Sequence, residues 1–340
     1  MDKLKDLLRE LCALPTVSGR EKESKKSLFA LADKCFDEAY EDSFGNLVLV
    51  KKSTMPSAPR LMIDAHFDEV GMMVSQVHEG GFLSVAPIGG LDMRVLGATQ
   101  VVVYGKQSIN GVLTSTPPHL LTGDKALPKI SDIYVDTGFD KEKLEGLVSA
   151  GDYVGFASGM TELLNNRVAS KGLDDKACAC AIFDMASRID KTRLKYDIYA
   201  VISAQEETGK NGARFVAYDI SPNLAIITDV CFARGEGIET SESVEMGQGA
   251  CVDVSACTSI PLTRAIMKML DERKIPHQRM CEPSRTYTNN EAVSISGKGV
   301  RTALLGIPLS GMHTPSEIVS LEDIKSLSDI LLEIAYEEGL

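Results

Sequence analysis

Four ionisable side chains follow an apolar strand early in the chain, in the segment IDAHFDEVG between Ile63 and Gly71. They are Asp64, His66, Asp68 and Glu69. Three carboxylates and an imidazole at the end of a buried strand are costly to desolvate unless a positive charge lies among them. Alternate strand residues share a face, and a metal-bound histidine usually donates its second N–H to a carboxylate, an arrangement that His66 and Asp68 can supply. The segment is therefore a candidate metal site; the alternative is an N-capped turn whose acids face water.

Four further segments bring acids or a histidine to the end of an apolar strand or to the start of a helix. They contain Asp174 and Asp175 before a helix, Glu206 and Glu207 after the strand 196–204, Asp229 after the strand 224–228, and His313 in the loop after the strand 302–305. Taken singly, these residues are as well explained as helix caps, turn formers or hydrogen-bonded loop residues. In open α/β sheets, however, functional groups gather at the carboxyl ends of the strands.

The combined set of ligand types predicts a centre with two divalent metal ions. Two histidines and three carboxylates fit two such ions, expected to be zinc or cobalt, with one acid bridging them. Three anionic ligands against two dications leave one positive charge, which a hydroxide neutralises. A single ion would leave the cluster with an excess of negative charge.

The elements that must position these residues follow from the hydrophobic periodicity. Helices are predicted at 4–14, 21–36, 176–189, 211–218, 261–274 and 321–338, and strands at 46–51, 60–64, 196–204, 224–228 and 302–305. Between about 72 and 160, Val, Ile, Gly and Thr dominate, turns recur and no helical period persists, which is typical of hairpins in a small all-β module. The pattern predicts one α/β domain interrupted by a β insertion.

Composition and charge exclude several classes of function. The 340 residues are 44% hydrophobic and 25% charged, which is ordinary for a globular protein. The net charge of −12 argues against nucleic acid or an anionic membrane as partner. We find neither a signal peptide at the N-terminus nor an apolar run long enough to span a bilayer. The eight cysteines are scattered, which is typical of reduced thiols in a cytoplasmic protein.

Five motifs occur in an order that resembles the dinuclear tetrahedral aminopeptidases, the family of glutamyl and deblocking aminopeptidases. They are DAHFDEVG, LDDKA, QEETGKNGA, TDV and GMHTPSE. The segments NGVLTSTPPHLL and ISDIYVDTG are similar to that family's inserted domain, so the resemblance covers nearly the whole chain. It implies a mixed-sheet α/β/α metallopeptidase domain, residues 1–70 and 161–340. A small β-barrel-like domain at 71–160 would interrupt it and make contacts between subunits.

The resemblance also implies which residues hold the two metal ions. His66 and Asp229 would bind one ion, Glu207 and His313 would bind the other, and Asp174 would bridge them. Two ions roughly 3.5–4 Å apart would share a water and lower its pKa toward neutrality.

Two further acids are assigned roles by the same resemblance. Glu206 matches the general base that takes the proton of the water and passes it to the leaving amine. Asp68 matches the acid that orients His66, and a cis peptide often joins the bridging acid to the next residue, here Asp175. The implied function is an aminopeptidase that removes N-terminal residues from peptides with free N-termini. Family members assemble as tetrahedral dodecamers, which would confine the active sites to an internal chamber.

Two segments depart from the family pattern and put the side-chain specificity in doubt. Residues 309–312, Leu-Ser-Gly-Met, stand where a basic and an aromatic residue commonly precede the second metal histidine. Residues 288–291, Thr-Asn-Asn-Glu, replace a usual Gly-Thr-Asp segment. The preferred N-terminal residue therefore does not follow from the sequence.

Three alternatives to this function stay open. A glycoside hydrolase also uses two carboxylates, but these must flank a sugar bond about 5–9 Å apart, and an adjacent Glu pair is poorly placed for this. The absence of Trp also leaves few platforms for sugar stacking. A non-catalytic metal-binding or assembly protein would not need Glu206. A related dinuclear carboxypeptidase or deacylase would be separated from an aminopeptidase by blocking the amino group of the substrate.

Overall fold

The computed structural model describes residues 1–120, 128–157 and 159–340. Its helices are α1 Asp2–Cys12, α2 Lys25–Ala32, α3 Lys141–Leu147, α4 Leu173–Ser187, α5 Asn211–Ile220, α6 Ile260–Arg273, α7 Asn290–Ser294 and α8 Leu321–Tyr336. The first strands are β1 Glu38–Glu41, β2 Leu47–Lys51, β3 Arg60–His66, β4 Gly71–Val77, β5 Phe82–Ile88, β6 Gln100–Tyr104, β7 Ser108–Ser115, β8 Ile133–Asp136 and β9 Tyr153–Phe156. The remaining strands are β10 Thr161–Glu162, β11 Arg167–Ser170, β12 Asp197–Ser203, β13 Leu224–Phe232, β14 Cys251–Ser255, β15 Gln278–Glu282, β16 Thr302–Ser310 and β17 Glu317–Ser320.

One mixed sheet is built from eleven strands in the described parts of the chain. Its main path runs β1-β2-β12-β3-β13-β16-β17-β11-β10, and β14 and β15 branch from β16. The four central neighbours β12, β3, β13 and β16 are all parallel to one another. Their carboxyl ends therefore meet at one edge of the sheet, and strands that are antiparallel to them flank this block.

Helices cover both faces of this sheet, because successive residues of its strands point to opposite sides. Leu61 and Ile63 of β3 lie in the larger apolar core, which α1, α4 and α8 cover. Met62 between them lies in a second core with residues of α5 and α7, such as Val216 and Val293. Burial on both faces explains why the central strands are continuous apolar runs rather than alternating ones.

The stretch between β3 and β10 forms a separate closed barrel. Six antiparallel strands follow the order β4-β5-β8-β7-β6-β9, and β9 pairs with β4 to close it. Its interior is a core of its own, with Val74, Leu83, Val101 and Leu113 buried. This confirms the predicted fold class, an α/β domain with a small inserted β module. Residues 121–127 and 158, which include the end of the motif NGVLTSTPPHLL, lie outside the described residues.

The structure also contains elements that the sequence did not predict. Helix α3 lies inside the β module, where no helix was expected, and begins because Asp140 accepts a hydrogen bond from the backbone N–H of Lys143 at 2.9 Å. Strand β13 continues past the predicted end at residue 228, because its residues as far as Phe232 pair with β16. In the described residues no helix has both the length and the apolar content needed to cross a lipid bilayer.

Candidate metal centre

The candidate ligands come together where the parallel strands of the sheet end. His66 is the last residue of β3, and Glu207 follows its neighbour β12. Asp229 lies on β13, and His313 follows β16 by three residues. Asp174 reaches the same edge from the first turn of α4. The five residues predicted as ligands therefore lie in one cluster, although the chain separates the first from the last by more than two hundred positions.

Two overlapping groups of three side chains share Asp174. In the first, His66 Nε2 lies 3.0 Å from Asp174 Oδ1 and 3.9 Å from Asp229 Oδ1. In the second, His313 Nε2 lies 3.4 Å from Asp174 Oδ2 and 3.4 Å from Glu207 Oε1. The ligand atoms within each group lie within 4.8 Å of one another. Asp174 turns one oxygen to each group, which is the geometry of a carboxylate that bridges two cations.

The carboxylates of the cluster are buried and repel one another, which favours the binding of cations. Burial, together with the charge of Asp174, raises the pKa of Glu207 well above its ordinary value. Burial and repulsion from Asp174 also raise the pKa of Asp229, against the attraction of His66. Hydrogen bonds from both imidazoles lower the pKa of Asp174 despite its burial. Buried carboxylates that repel one another in this way are stabilised by metal ions, so the donor set fits divalent cations.

Glu206 is an acid beside the cluster that neither ligand group includes. It lines the same cavity and is 9% exposed. Its buried Oε1 accepts no hydrogen bond from the described residues, and the nearest cation is the Lys210 ammonium at 3.7 Å. Burial raises the pKa of Glu206, against the attraction of His66 and Lys210. A buried carboxylate with a free oxygen and a raised pKa has the properties of a proton acceptor.

The carboxylate of Asp68 binds the backbone of Glu206 and Glu207 rather than the imidazole of His66. Its two oxygens accept hydrogen bonds from the backbone N–H groups of Glu206 and Glu207, at 2.9 and 3.1 Å. The nearest approach of that carboxylate to His66 Nδ1 is 3.7 Å. Instead, the backbone carbonyl of Asp68 lies 3.0 Å from His66 Nδ1. Asp68 thus positions three site residues at once, two of them in a way that the sequence did not suggest.

Glu317 is a second positioning residue, and its role was not predicted from the sequence. It is 2% exposed, and its carboxylate accepts hydrogen bonds from two backbone N–H groups of the candidate ligands. Asp174 donates to Oε2 at 3.1 Å and His313 donates to Oε1 at 2.8 Å. The second bond holds His313 in the left-handed backbone conformation, with φ of 60°. An acid four residues after a candidate histidine was the available signal.

Three other acids of the motifs lie outside both ligand groups. Asp64 accepts a hydrogen bond from Asn289 Nδ2 at 2.8 Å. Glu69 pairs with the ammonium groups of two buried lysines, Lys171 and Lys176. Asp175 is fully buried, and the peptide bond between Asp174 and Asp175 is cis, as the resemblance implied.

The cavity that contains the cluster has a volume of about 550 Å³. The sheet domain supplies most of its wall, but the barrel contributes Gly90, which follows β5. A Cβ atom at Gly90 would lie 3.2 Å from His313 Nδ1, so a side chain there would crowd the imidazole. Both segments that depart from the family pattern also line the cavity, through Thr288 and Met312. Sequence differences at these positions thus bear directly on what the cavity accepts.

Comparisons with known proteins identify similar sequences and structures. A model of the M42 glutamyl aminopeptidase family matches residues 45–330. A lysyl aminopeptidase from Pyrococcus furiosus is 31% identical over 338 residues, which cover 96% of either chain. The structure of an aminopeptidase from the archaeon Desulfurococcus kamchatkensis has a TM-score of 0.93 at 28% identity, and the match covers 99% of this chain and 96% of that one.

Two further solved structures bear on assembly and on the glycosidase alternative. The TET1 peptidase of Pyrococcus horikoshii, described as assembling into a tetrahedron or a large octahedral shell, has a TM-score of 0.87 at 26% identity, with 98% of this chain and 99% of that one covered. A Thermotoga maritima protein described as an endoglucanase has a TM-score of 0.79 at 27% identity, with 96% of both chains covered. This protein shares the fold of the aminopeptidases, so the likeness to it does not favour a glycosidase over an aminopeptidase.

Proposed function

The chain belongs to the M42 glutamyl aminopeptidase family and is a metal-dependent aminopeptidase, and from this premise we propose that two divalent ions, zinc or cobalt, act at the cluster around Asp174. His66 and Asp229 would hold one ion, and Glu207 and His313 the other, with Asp174 shared. The observation that carries the proposal is the pair of Asp174 oxygens, 3.0 Å from His66 Nε2 and 3.4 Å from His313 Nε2.

The chemistry divides between the bound ions and the side chains around them. When bound, two divalent ions lower the pKa of a water molecule and polarise a carbonyl group. Glu206 would accept the proton of that water at its free Oε1 and return it to the leaving amine. The nearby Lys210 ammonium, 3.7 Å from the same oxygen, stabilises Glu206 as a carboxylate before the proton arrives.

The positioning residues keep the acceptor and the ligands in a fixed relation. Because Asp68 binds the backbone of both Glu206 and Glu207, the proton acceptor and a ligand move as one unit. Because Glu317 binds the backbone of both Asp174 and His313, two ligands from distant parts of the chain are also held together. Substrates would be peptides with a free N-terminal amine, whose first residue enters the cavity.

Chelation tests this function against its rivals. The purified protein is treated with EDTA, dialysed, and assayed on aminoacyl amides before and after addition of zinc, cobalt or manganese. We expect chelation to abolish hydrolysis, a metal to restore it, and acetylation of the substrate amine to prevent cleavage. Amide hydrolysis that survives chelation would contradict the proposal, and hydrolysis that requires a blocked amine would favour a deacylase.

We further propose that residues 71–160 form an inserted domain that makes contacts between subunits of a homo-oligomer, and that the oligomer is a dodecamer. The closed barrel between β3 and β10 supports the division, and the assembly described for the Pyrococcus horikoshii TET1 peptidase supports the oligomer. A cytoplasmic location is part of the same proposal, and the free thiols of all eight cysteines support it.

A further inference from the structure

Glu282 is a carboxylate that faces the cavity but belongs to neither ligand group. It is the last residue of β15 and lines the same cavity as His66, Glu207 and His313. Its backbone N–H donates to Asp253 Oδ1 at 3.2 Å, so the pairing of β15 with β14 fixes its position. Its Oε2 is buried and accepts no hydrogen bond from any residue that the structure describes. A buried oxygen without a hydrogen-bond donor costs free energy, and a ligand that donates a hydrogen bond to it would remove that cost.

The groups that face Glu282 from the elements around it are acidic. Burial, and after it the charges of Asp253 on β14, Glu291 on α7 and Glu242 in the turn Thr240–Glu242, raise the pKa of Glu282 to about 7. Asp253 is itself 1% exposed, with an Oδ2 that accepts no hydrogen bond from the described residues. The negative charge at this wall of the cavity is therefore concentrated and favours a cation.

The basic side chains near the cavity are already committed to other acids. Arg285 donates to both carboxylate oxygens of Glu291, at 3.2 and 2.8 Å. Lys210 lies 3.7 Å from Glu206 Oε1. An acidic substrate side chain would thus meet a lysine that is already paired, whereas a basic side chain would meet an unpaired carboxylate.

The wall of the cavity that Glu282 shares with the metal centre also suits a side chain with a long apolar stem. Val230 and Phe232 of β13 line it, and Thr286 and Thr288 line it with hydroxyl groups. Lysine and arginine bury their methylene groups along such surfaces while the charged tip reaches a polar partner.

We propose that Glu282 determines the preference for the first residue of the substrate, by binding the ammonium or guanidinium group of an N-terminal lysine or arginine while the scissile bond lies at the metal centre. This inference rests on the aminopeptidase function proposed above. It assigns a role to a residue that lay in none of the motifs of the sequence.

The test compares four substrates with three forms of the metal-loaded protein. The substrates are the fluorogenic amides of lysine, arginine, leucine and glutamate, and the proteins are wild type, Glu282→Gln and Glu239→Gln. Glu239 is a matched control, because it is an exposed glutamate outside the cavity wall. We expect wild type to prefer lysine and arginine. Loss of a desolvated ion pair should lower kcat/KM for these two at least about 10-fold in Glu282→Gln.

Hydrolysis of the leucine amide distinguishes lost selectivity from lost structure. Glu282→Gln should hydrolyse the leucine amide within about 3-fold of the wild-type rate, because the leucine side chain makes no ion pair with residue 282. Its metal content should equal that of wild type. Glu239→Gln should keep the lysine-to-leucine ratio of wild type. In wild type the ratio of kcat/KM for the lysine amide to kcat/KM for the leucine amide should rise as the pH increases through about 7, where Glu282 ionises. In Glu282→Gln the same ratio should not change with pH.

Two outcomes overturn the inference, and they are distinguishable. If wild type hydrolyses the amides but prefers leucine or glutamate, or if Glu282→Gln keeps the wild-type ratio of lysine to leucine, Glu282 has no role in selectivity and the aminopeptidase function stands. If wild type loaded with zinc or cobalt hydrolyses none of the four amides, the proposed function fails and this inference fails with it.

Discussion

At the scale of single residues, the proposed function assigns different roles to the groups that would hold cations and to the group that would move a proton. Glu206 and Glu207 are adjacent in sequence, yet Glu207 Oε1 lies 3.4 Å from His313 while Glu206 Oε1 has no hydrogen-bond donor among the described residues. Asp68 fixes this difference by binding both backbone N–H groups. Two identical side chains thus lie in different surroundings, and the proposed roles of Glu206 and Glu207 differ for that reason.

Glu206→Gln tests the proton acceptor. Because the amide keeps the size of the side chain but cannot accept a proton, kcat should fall at least about 100-fold, the usual scale for a general base. Both metal ions should remain, since Glu206 belongs to neither ligand group. Kinetics on an aminoacyl amide and elemental analysis of the same sample check the two statements. Near-normal turnover would remove Glu206 from this role.

His313→Ala tests the second ligand group. Loss of the imidazole leaves only Asp174 and Glu207 in that group, so the zinc content should fall toward one ion per subunit. His277→Ala is a suitable control, because His277 lies outside both groups and contacts the carbonyl of Ile275 at 3.0 Å. Two ions per subunit in His313→Ala would refute the assignment.

At the scale of elements, a buried ion triad joins the end of β3 to the start of α4. Glu69 lies between Lys171 Nζ at 2.7 Å and Lys176 Nζ at 2.9 Å, and all three residues are nearly inaccessible to solvent. Gly172 leaves room for the triad, because a Cβ there would lie 2.3 Å from Glu69 Oε2. The triad fixes the strand end that carries His66 relative to the turn that carries Asp174.

Glu69→Gln should therefore destabilise the protein strongly. Two buried ammonium groups would lose their counter-charge, which costs about 3–5 kcal/mol when one partner of a buried pair is removed. Glu162→Gln is the matched control: Glu162 pairs with Lys5 and Arg9 but its side chain is 53% exposed, so the loss of stability should be much smaller than in Glu69→Gln. Urea unfolding measures both, and equal losses would contradict the role of burial.

The same triad predicts a dependence on pH. Although burial opposes it, Lys171 and Lys176 lower the pKa of Glu69 from 4.5 to about 2. A carboxyl whose pKa is lowered by folding stabilises the protein above its unfolded pKa, and this contribution is lost as the pH falls through the folded value. The difference in unfolding free energy between wild type and Glu69→Gln should be constant above about pH 5 and shrink toward pH 2. A difference that grows in acid would contradict it.

The sequence predicted the elements whose signal is local and missed those that depend on distant partners. The apolar runs before His66 and Asp229 identified two buried strands, because burial on both faces leaves a continuous apolar pattern. Strands β14 and β15 are five residues each, and the neighbours that make them strands lie far away in sequence. Glu282 could not be found for the same reason, since only the pairing of β15 with β14 places it at the cavity.

At the scale of the whole molecule, the proposed dodecamer predicts both a mass and a restriction on substrates. Light scattering coupled to size exclusion should give the mass of a dodecamer of 36.7 kDa subunits. If the active sites face an internal chamber, short peptides should be cleaved, whereas a folded protein with the same N-terminal residue should not. A measured mass of 36.7 kDa, that of a single subunit, would contradict the proposal, and so would equal cleavage of both substrates.

Anomalous diffraction from crystals grown in zinc locates the proposed ions directly. We expect two anomalous peaks per subunit, one among His66, Asp174 and Asp229 and one among Asp174, Glu207 and His313. Crystals grown after EDTA treatment should lack both peaks. An absence of peaks in the zinc crystals, or peaks bound to other side chains, would contradict the central claim that these five residues hold two divalent ions.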